Sequence, residues 1–203
     1  MNPLLVRLWP GLNLASGSRI FVPLCGKSLD MVWLAEQGHH VVGVELSPVA
    51  VRAFFAENGL HAHKRRVGAF TQWQSGRISI LCGDYFALRA ADIGAIDTVY
   101  DRAALTALPA MIRAQYLAQL KVITDDRSNI FLLTIEDAAE NATLDEARAI
   151  DAEVFNLYAE NFAIDLTFID SVLEPDLNGP AGATQRAEYK AYRLRNHARD
   201  ASY

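Results

Sequence analysis

The sequence predicts an α/β protein, with a mainly parallel sheet covered by helices on both faces and one antiparallel strand at an edge. Three observations carry that prediction. Short apolar runs of strand length alternate with helix-length amphipathic stretches through the first two thirds of the chain. Acids stand at the tips of successive runs, at Glu45, Asp84 and Asp101. The last two strand-like runs are joined by a Pro- and Gly-rich linker instead of a helix, which reads as a hairpin.

Size and composition set the frame. A chain of 203 residues with 51% apolar content buries one substantial core, so a single domain over 1–203 is expected. A charged fraction of 21% and a net charge of -5 describe an ordinary folded protein rather than a disordered one. The acidic balance argues against a nucleic-acid partner, and His63-Lys64-Arg65-Arg66 is too short a basic run to change that. It reads as a solvated loop. No apolar stretch approaches the roughly 20 residues of a membrane span, so no membrane partner is expected. Met1-Asn2-Pro3-Leu4-Leu5 lacks the pattern of a signal peptide. Cys25 and Cys82 make no disulfide framework, and reduced thiols in a cytoplasmic monomer are the simplest expectation.

The elements follow in order. Leu4, Leu5, Leu8 and Leu12 lie at helical spacing, and Gly17-Ser18 ends that pattern. Arg19 to Leu24 reads as a buried strand that Pro23 brings to its finish. Ser28 to Glu36 is a helix, with Ser28 as its expected N-cap and Gly38 closing it. His40 to Val44 is a second buried strand, ended by Glu45. Ser47-Pro48 opens a helix that runs to about Asn58-Gly59. Residues 61–76 show no clear period and read as mostly loop, with room for one short strand. Strands are expected at Ile78–Cys82, Ile96–Tyr100 and Asn129–Ile135, and helices at Pro109–Leu120 and Leu144–Asn161. Phe162–Leu173 and Tyr189–Leu194 form the late hairpin around the linker Glu174–Gln185.

In an open parallel sheet the ligand lies beyond the carboxyl ends of the strands. There the chain offers Leu24-Cys25-Gly26, Glu45, Asp84-Tyr85 and Asp101-Arg102. Gly26-Lys27-Ser28 has the ending of a nucleotide-binding P-loop, but Phe21 occupies the place of its first glycine. A dinucleotide G-x-G-x-x-G is missing as well. What remains is a strand, a tight turn with one glycine, a helix, a second strand and an acid at its tip. Glu45, about 20 residues past the turn, is placed to bind ribose hydroxyls. Asp84 is placed to accept from an adenine amino group, with Tyr85 or Phe86 packing on the base. A ligand with ribose and adenine but no phosphates points to S-adenosylmethionine.

The stretches FVPLCGKSLDMVWLAEQGHHVVGVELS, ILCGDYFAL and VYDRAALTALP carry a resemblance. Together they resemble the thiopurine S-methyltransferases, especially the bacterial members, from about Leu4 to Ile135. The resemblance implies the class I methyltransferase fold, a three-layer Rossmann-like sheet of seven strands with the last reversed. It implies S-adenosylmethionine as methyl donor, and Leu24, Gly26, Glu45, Leu46, Asp84, Tyr85 and Arg102 around it. The activity implied is in-line methyl transfer to sulfur of a small aromatic thiol such as a thiopurine. The alternatives are a selenium or tellurium oxyanion or another small nucleophile as acceptor, or a cofactor-binding module with little turnover. The family's Gly-Pro-Pro-Phe motif after the fifth strand is replaced here by EDAAENATLDEARAIDAEVF, and Trp9 does not match the family's lid tryptophans.

No residue is assigned a catalytic role, because an ionised thiol needs no general base. Arg102 is placed to pair with an anionic substrate or the cofactor's end. Cys25 lacks a basic partner and reads as a structural thiol. His39-His40 and His61-x-His63 have no further ligands at usable spacing, so no metal is expected.

Overall fold

The computed structural model describes residues 1–102, 104–125, 128–137, 151–175 and 184–197. The packing of the chain separates two compact units, Met1–Tyr100 with Gln115–Ser128, and Asp101–Ala114 with Asn129–Tyr203.

The first unit begins with α1 (Pro3–Leu8), which Asn2 caps by accepting from the Leu4 and Leu5 N–H groups, with Pro3 in the first turn. A 3-10 turn follows at Trp9–Leu12. Then come β1 (Arg19–Val22), α2 (Asp30–Glu36), β2 (His40–Glu45) and α3 (Pro48–Glu57). The strands β3 (His63–Val67), β4 (Phe70–Ser75) and β5 (Ile78–Cys82) lead to α4 (Ala90–Ile93) and β6 (Thr98–Arg102). The order in space is β3-β4-β5-β2-β1-β6. β5, β2, β1 and β6 pair in parallel, while β3, β4 and β5 are antiparallel neighbours.

The parallel centre has the sequence of a sheet buried on both faces. Ile20, Phe21, Val41, Val42, Val44 and Ile80 are all buried. Phe54 and Phe55 of α3 are buried with them, and each contributes about 1.5–3 kcal/mol by leaving water. Gly38 ends α2 at φ +92, and Gly59 ends α3 at φ +65, as helix-stopping glycines do. Ser47 caps α3 through the Ala50 N–H, as its sequence predicts. Ser28 does not cap α2. That helix starts two residues later, with Leu29 at the cap position and no side-chain cap bond, because successive tight turns take up the residues before it.

A buried hydrogen-bonded group ties the start of the chain to this unit. Asp30, 1% exposed, accepts from the Asn2 N–H at 2.7 Å and from the Tyr100 hydroxyl at 2.8 Å. Trp9 packs edge-on against Tyr100 and donates its indole N–H to His39 Nε2 at 3.1 Å.

Residues 61–76 are not the loop that their sequence predicts. Two tight turns, at Gly68-Ala69 and Gly76-Arg77, fold them into β3 and β4. Gly68 and Gly76 have φ +56 and +54, which suits the first position of a type II′ hairpin turn. The signal missed was this pair of glycines, each spaced for a two-residue turn.

The second unit holds α5 (Ala104–Ala107), the first turn of α6 (Ala110–Ile123), β7 (Asn129–Asp137), α7 (Ala152–Tyr158), β8 (Phe162–Pro175) and β9 (Thr184–Asn196). Its strands lie in the order β7-β9-β8, all antiparallel. The hairpin is longer than expected, with a register irregularity between Leu166 and Phe168. The reversed strand β9 is not at the edge. It lies between β7 and β8. Nine strands occur among the described residues instead of seven, and the additional pair is β3 and β4. Part of the helix expected over Leu144–Asn161 and most of the linker Glu174–Gln185 lie outside the described residues.

Candidate functional site

Three neighbouring strands of the first unit end together. Val22 of β1 pairs with Gly43 of β2, and Glu45 of β2 pairs with Cys82 of β5. The turn after β1, the tip of β2 and the turn after β5 therefore meet at one end of the parallel centre. That brings Leu24, Gly26, Glu45, Leu46, Asp84 and Tyr85 to one end of the unit.

The turn after β1 is built from two left-handed residues. Leu24 has φ +46, a region that a branched side chain adopts only at a cost of about 1–3 kcal/mol, and Gly26 has φ +52. The reason for the tight path is visible in its hydrogen bonds. Cys25 N–H donates to the Val44 carbonyl at 2.9 Å, Gly26 N–H to Glu45 Oε2 at 2.9 Å, and Ser28 N–H to the Cys25 carbonyl at 3.0 Å. These N–H groups point into the protein, so the turn has no nest of amides for a phosphate. Lys27 is turned aside to a surface ion pair with Glu57 at 2.8 Å. The P-loop letters have no P-loop behind them.

Gly43 admits this turn. A Cβ there would lie 2.7 Å from Cys25 Sγ and 2.8 Å from Met31 Cε. A lone glycine inside the buried run Val-Val-Gly-Val is the sequence signal of such close approach.

Glu45 is half-buried and held on both oxygens by backbone, Oε2 by Gly26 N–H and Oε1 by Ser47 N–H at 2.8 Å. A carboxylate has about four acceptor positions. Two are engaged, and two remain for hydroxyl donors. The residues thus fit a ribose diol: the acid is fixed in place and still able to accept. The Leu24 carbonyl is also part of the turn and can meet a cationic amine.

After β5, Asp84 opens a short 3-10 turn at Tyr85–Ala87 and accepts from the Phe86 N–H at 2.9 Å, its side chain exposed. Tyr85 points the other way. Its ring is buried against Tyr116 at 5.0 Å, and its hydroxyl donates to the Tyr116 carbonyl at 3.0 Å. Its side chain is core, and Phe86 is the exposed aromatic of the pair. Leu46 is 67% exposed, a large apolar side chain left in water beside Glu45.

Burial pushes the Cys25 thiol far above its ordinary range, and the Glu45 carboxylate adds to the shift. Cys82 is raised by burial first and Glu45 second. Both thiols stay protonated, so neither serves as a nucleophile.

Asp101 and Arg102 belong to the second unit as the last residues of β6. Asp101 is fully buried and accepts from the Ala104 and Leu105 N–H groups, fixing the start of α5. Arg102 is exposed. Farther along, Arg113 joins the Leu108 carbonyl at 2.9 Å, the Thr106 carbonyl and the Glu153 carboxylate, which ties the α5–α6 connection to α7. Asp151 grips β9 through Lys190 and Tyr192.

The thiopurine S-methyltransferase family model matches residues 1–197. A thiopurine S-methyltransferase of Stutzerimonas stutzeri is 57% identical over 194 residues, covering 96% of this chain and 82% of that protein. One of Methylococcus capsulatus is 41% identical over 199 residues, 98% of this chain and 90% of that protein. A solved SAM-dependent methyltransferase from Anabaena variabilis superposes with a TM-score of 0.61 at 16% identity, covering 95% of this chain and 84% of that one. An acid pinned by the turn it faces, on a sheet of this order, is thus found in a chain that has the class I methyltransferase fold and belongs to the thiopurine S-methyltransferase family.

Proposed function

We propose that the chain acts as one S-adenosylmethionine-dependent methyltransferase domain that methylates sulfur of a small aromatic thiol of thiopurine type. The observation that carries this is Glu45, whose two oxygens are fixed by Gly26 and Ser47 N–H groups while half their accepting capacity is left over. S-adenosylmethionine supplies a methyl group already activated on a sulfonium sulfur. The protein's part is to bind and align. Glu45 accepts from the ribose hydroxyls, and the Leu24 carbonyl faces the amino-acid end. Gly26 keeps the turn close enough for both. Leu46 and Phe86 cover the adenine, and Asp84 accepts from its amino group. Tyr85 supports Phe86 from the core instead of touching the base. Arg102, permanently charged, offers a planar cation to an anionic thiolate or carboxylate. With the thiolate ionised, alignment alone contributes several kcal/mol to the barrier reduction.

Among the described residues, no helix is long and apolar enough to cross a membrane. A cytoplasmic monomer without nucleic-acid partners is in keeping with the acidic balance and with the free thiols of Cys25 and Cys82. Calorimetry with S-adenosylmethionine and a panel of aromatic thiols tests the reading, with selenite and tellurite run beside them. Binding with methylation of at least one aromatic thiol is expected. Products from the oxyanions alone would replace the thiol reading, and no binding at millimolar cofactor would end it.

A further inference from the structure

The basic run His63-Lys64-Arg65-Arg66 forms β3, the outermost strand of the first unit. All four side chains are exposed, and none meets a carboxylate among the described residues. Three permanent cations on one short strand stand out in a chain of net charge -5. Charge on an edge strand commonly serves to prevent edge pairing, and repulsion alone needs no ordering of the side chains.

Here two of the cations are held in place by buried groups. On one face, Lys64 lies over the Trp73 ring at 3.7 Å, and Trp73 in turn stacks on Phe55 of α3. On the other face, Arg65 Nε donates to Gln72 Oε1, and Gln72 Nε2 donates to Ser79 Oγ at 2.6 Å. Gln72 and Ser79 are themselves buried, so a polar relay across three strands ends on one surface guanidinium. Pre-ordered cations lose less freedom on meeting an anion.

Among the described residues, the outer backbone of β3 pairs with no other strand. The two-residue turn at Gly68-Ala69 makes Val67–Phe70 the closing hydrogen-bonded pair, and Arg65–Gln72 the next one. Arg66, between these pairs, and Lys64, between Arg65–Gln72 and the following pair His63–Gln74, are in non-hydrogen-bonded positions, so their N–H and C=O groups point away from β4. An incoming strand finds hydrogen-bonding groups at these two residues and basic side chains on both faces.

We propose that β3 is a docking edge for an extended acidic peptide segment of a partner protein, which adds as a strand beside it. Main-chain pairing to Lys64 and Arg66 supplies the register, and the four basic side chains select acidic residues. β3 holds none of the residues assigned to the cofactor, and the proposal does not rest on that assignment.

The test uses the full chain, isotopically labelled, titrated with a terminally blocked peptide of Glu interspersed with Val and Thr. Amide shifts confined to β3 and β4 are expected, with affinity falling about tenfold or more in Arg65→Glu/Arg66→Glu and with added salt. Arg66→Pro removes one outward N–H without removing a bond to β4, and abolishes binding. Should Arg66→Pro fail to fold, a peptide N-methylated at alternate residues keeps its charge but cannot pair, and loses binding to the parent chain. Absence of shifts at millimolar peptide overturns the proposal, as does equal binding of the N-methylated peptide. Tighter binding of a single-stranded oligonucleotide or an anionic vesicle also overturns it.

Discussion

Glu45 in the first unit and Asp151 in the second are both carboxylates with strong partners, yet they are built for opposite ends. Glu45 is held by two backbone N–H groups and remains half-exposed. Asp151 is held by the side chains of Lys190 and Tyr192, with its own N–H donating to the Tyr192 hydroxyl at 3.3 Å. Glu188 also lies 3.7 Å from Lys190, and all of these side chains are nearly out of water. Backbone donors fix a carboxylate without closing off its outer lone pairs, which leaves it able to take a ligand. Charged and hydroxyl side chains in a buried cluster close it off entirely, which makes it a lock. Asp151 stands at the cap position of α7 yet makes no side-chain cap bond, so its carboxylate serves β9 rather than its own helix. What surrounds an acid, more than the acid itself, separates a binding group from a structural one.

The sharpest way to break the lock is Lys190→Met, which leaves Asp151 and Glu188 buried without their cation. Removing one partner of such a pair costs about 3–5 kcal/mol, and denaturant unfolding should show a loss of that size. A triple change of Lys190→Met with Asp151→Leu and Glu188→Gln, which removes all three charges, should recover much of it.

The proposed ribose role of Glu45 is tested by Glu45→Ala, measured by calorimetry with S-adenosylmethionine. Loss of charge-assisted hydrogen bonds worth about 1.5–3 kcal/mol predicts affinity weaker by roughly 10- to 100-fold. Glu45→Gln should be nearly as poor, because an amide NH2 would face the N–H of Gly26 or Ser47. If Glu45→Ala binds as tightly as the parent, the ribose assignment is wrong.

Gly43→Ala comes next. Its methyl group would press on Cys25 and Met31, and forcing a group into a packed core costs about 1–3 kcal/mol. Thermal unfolding should register this, and cofactor affinity should fall with it because the turn that holds Glu45 is displaced.

The smallest effect concerns pH. Burial holds the His39 imidazole below its ordinary pKa of 6.5, against a weaker opposing pull from Asp97. Its Nε2 accepts from Trp9, so protonation would set two donors face to face. A histidine with a depressed folded pKa stabilises the fold above its unfolded pKa, and that contribution fades as pH falls below 6.5. The melting temperature should drop on acidification more in the parent than in His39→Gln.

Much of this was legible from residue order alone. The buried runs Val41–Val44 and Ile78–Leu81, the Ser47-Pro48 helix start and the stop at Gly38 follow from side-chain volume and backbone freedom. The place of Glu45 at the tip of β2 was legible too, because the buried apolar run before it marks where the strand ends. Tyr85 was not. Its neighbour Phe86 has the same aromatic character, and only the packing of Tyr116 decides which ring turns inward. The hairpin of β3 and β4 was hidden because its edge strand is wholly polar, so no alternation of apolar residues marks it.

The sequence by itself determined the parallel centre, the turn after β1 and the acid that faces it. Periodicity, glycine and proline act within a few residues, and their consequences can be read locally. The tertiary structure alone decided that β9 runs between β7 and β8, that Trp9 docks on His39 and Tyr100, and that Lys190 is gripped by Asp151. These are contacts between residues far apart in the chain, chosen by which buried polar groups can satisfy one another once the chain has folded.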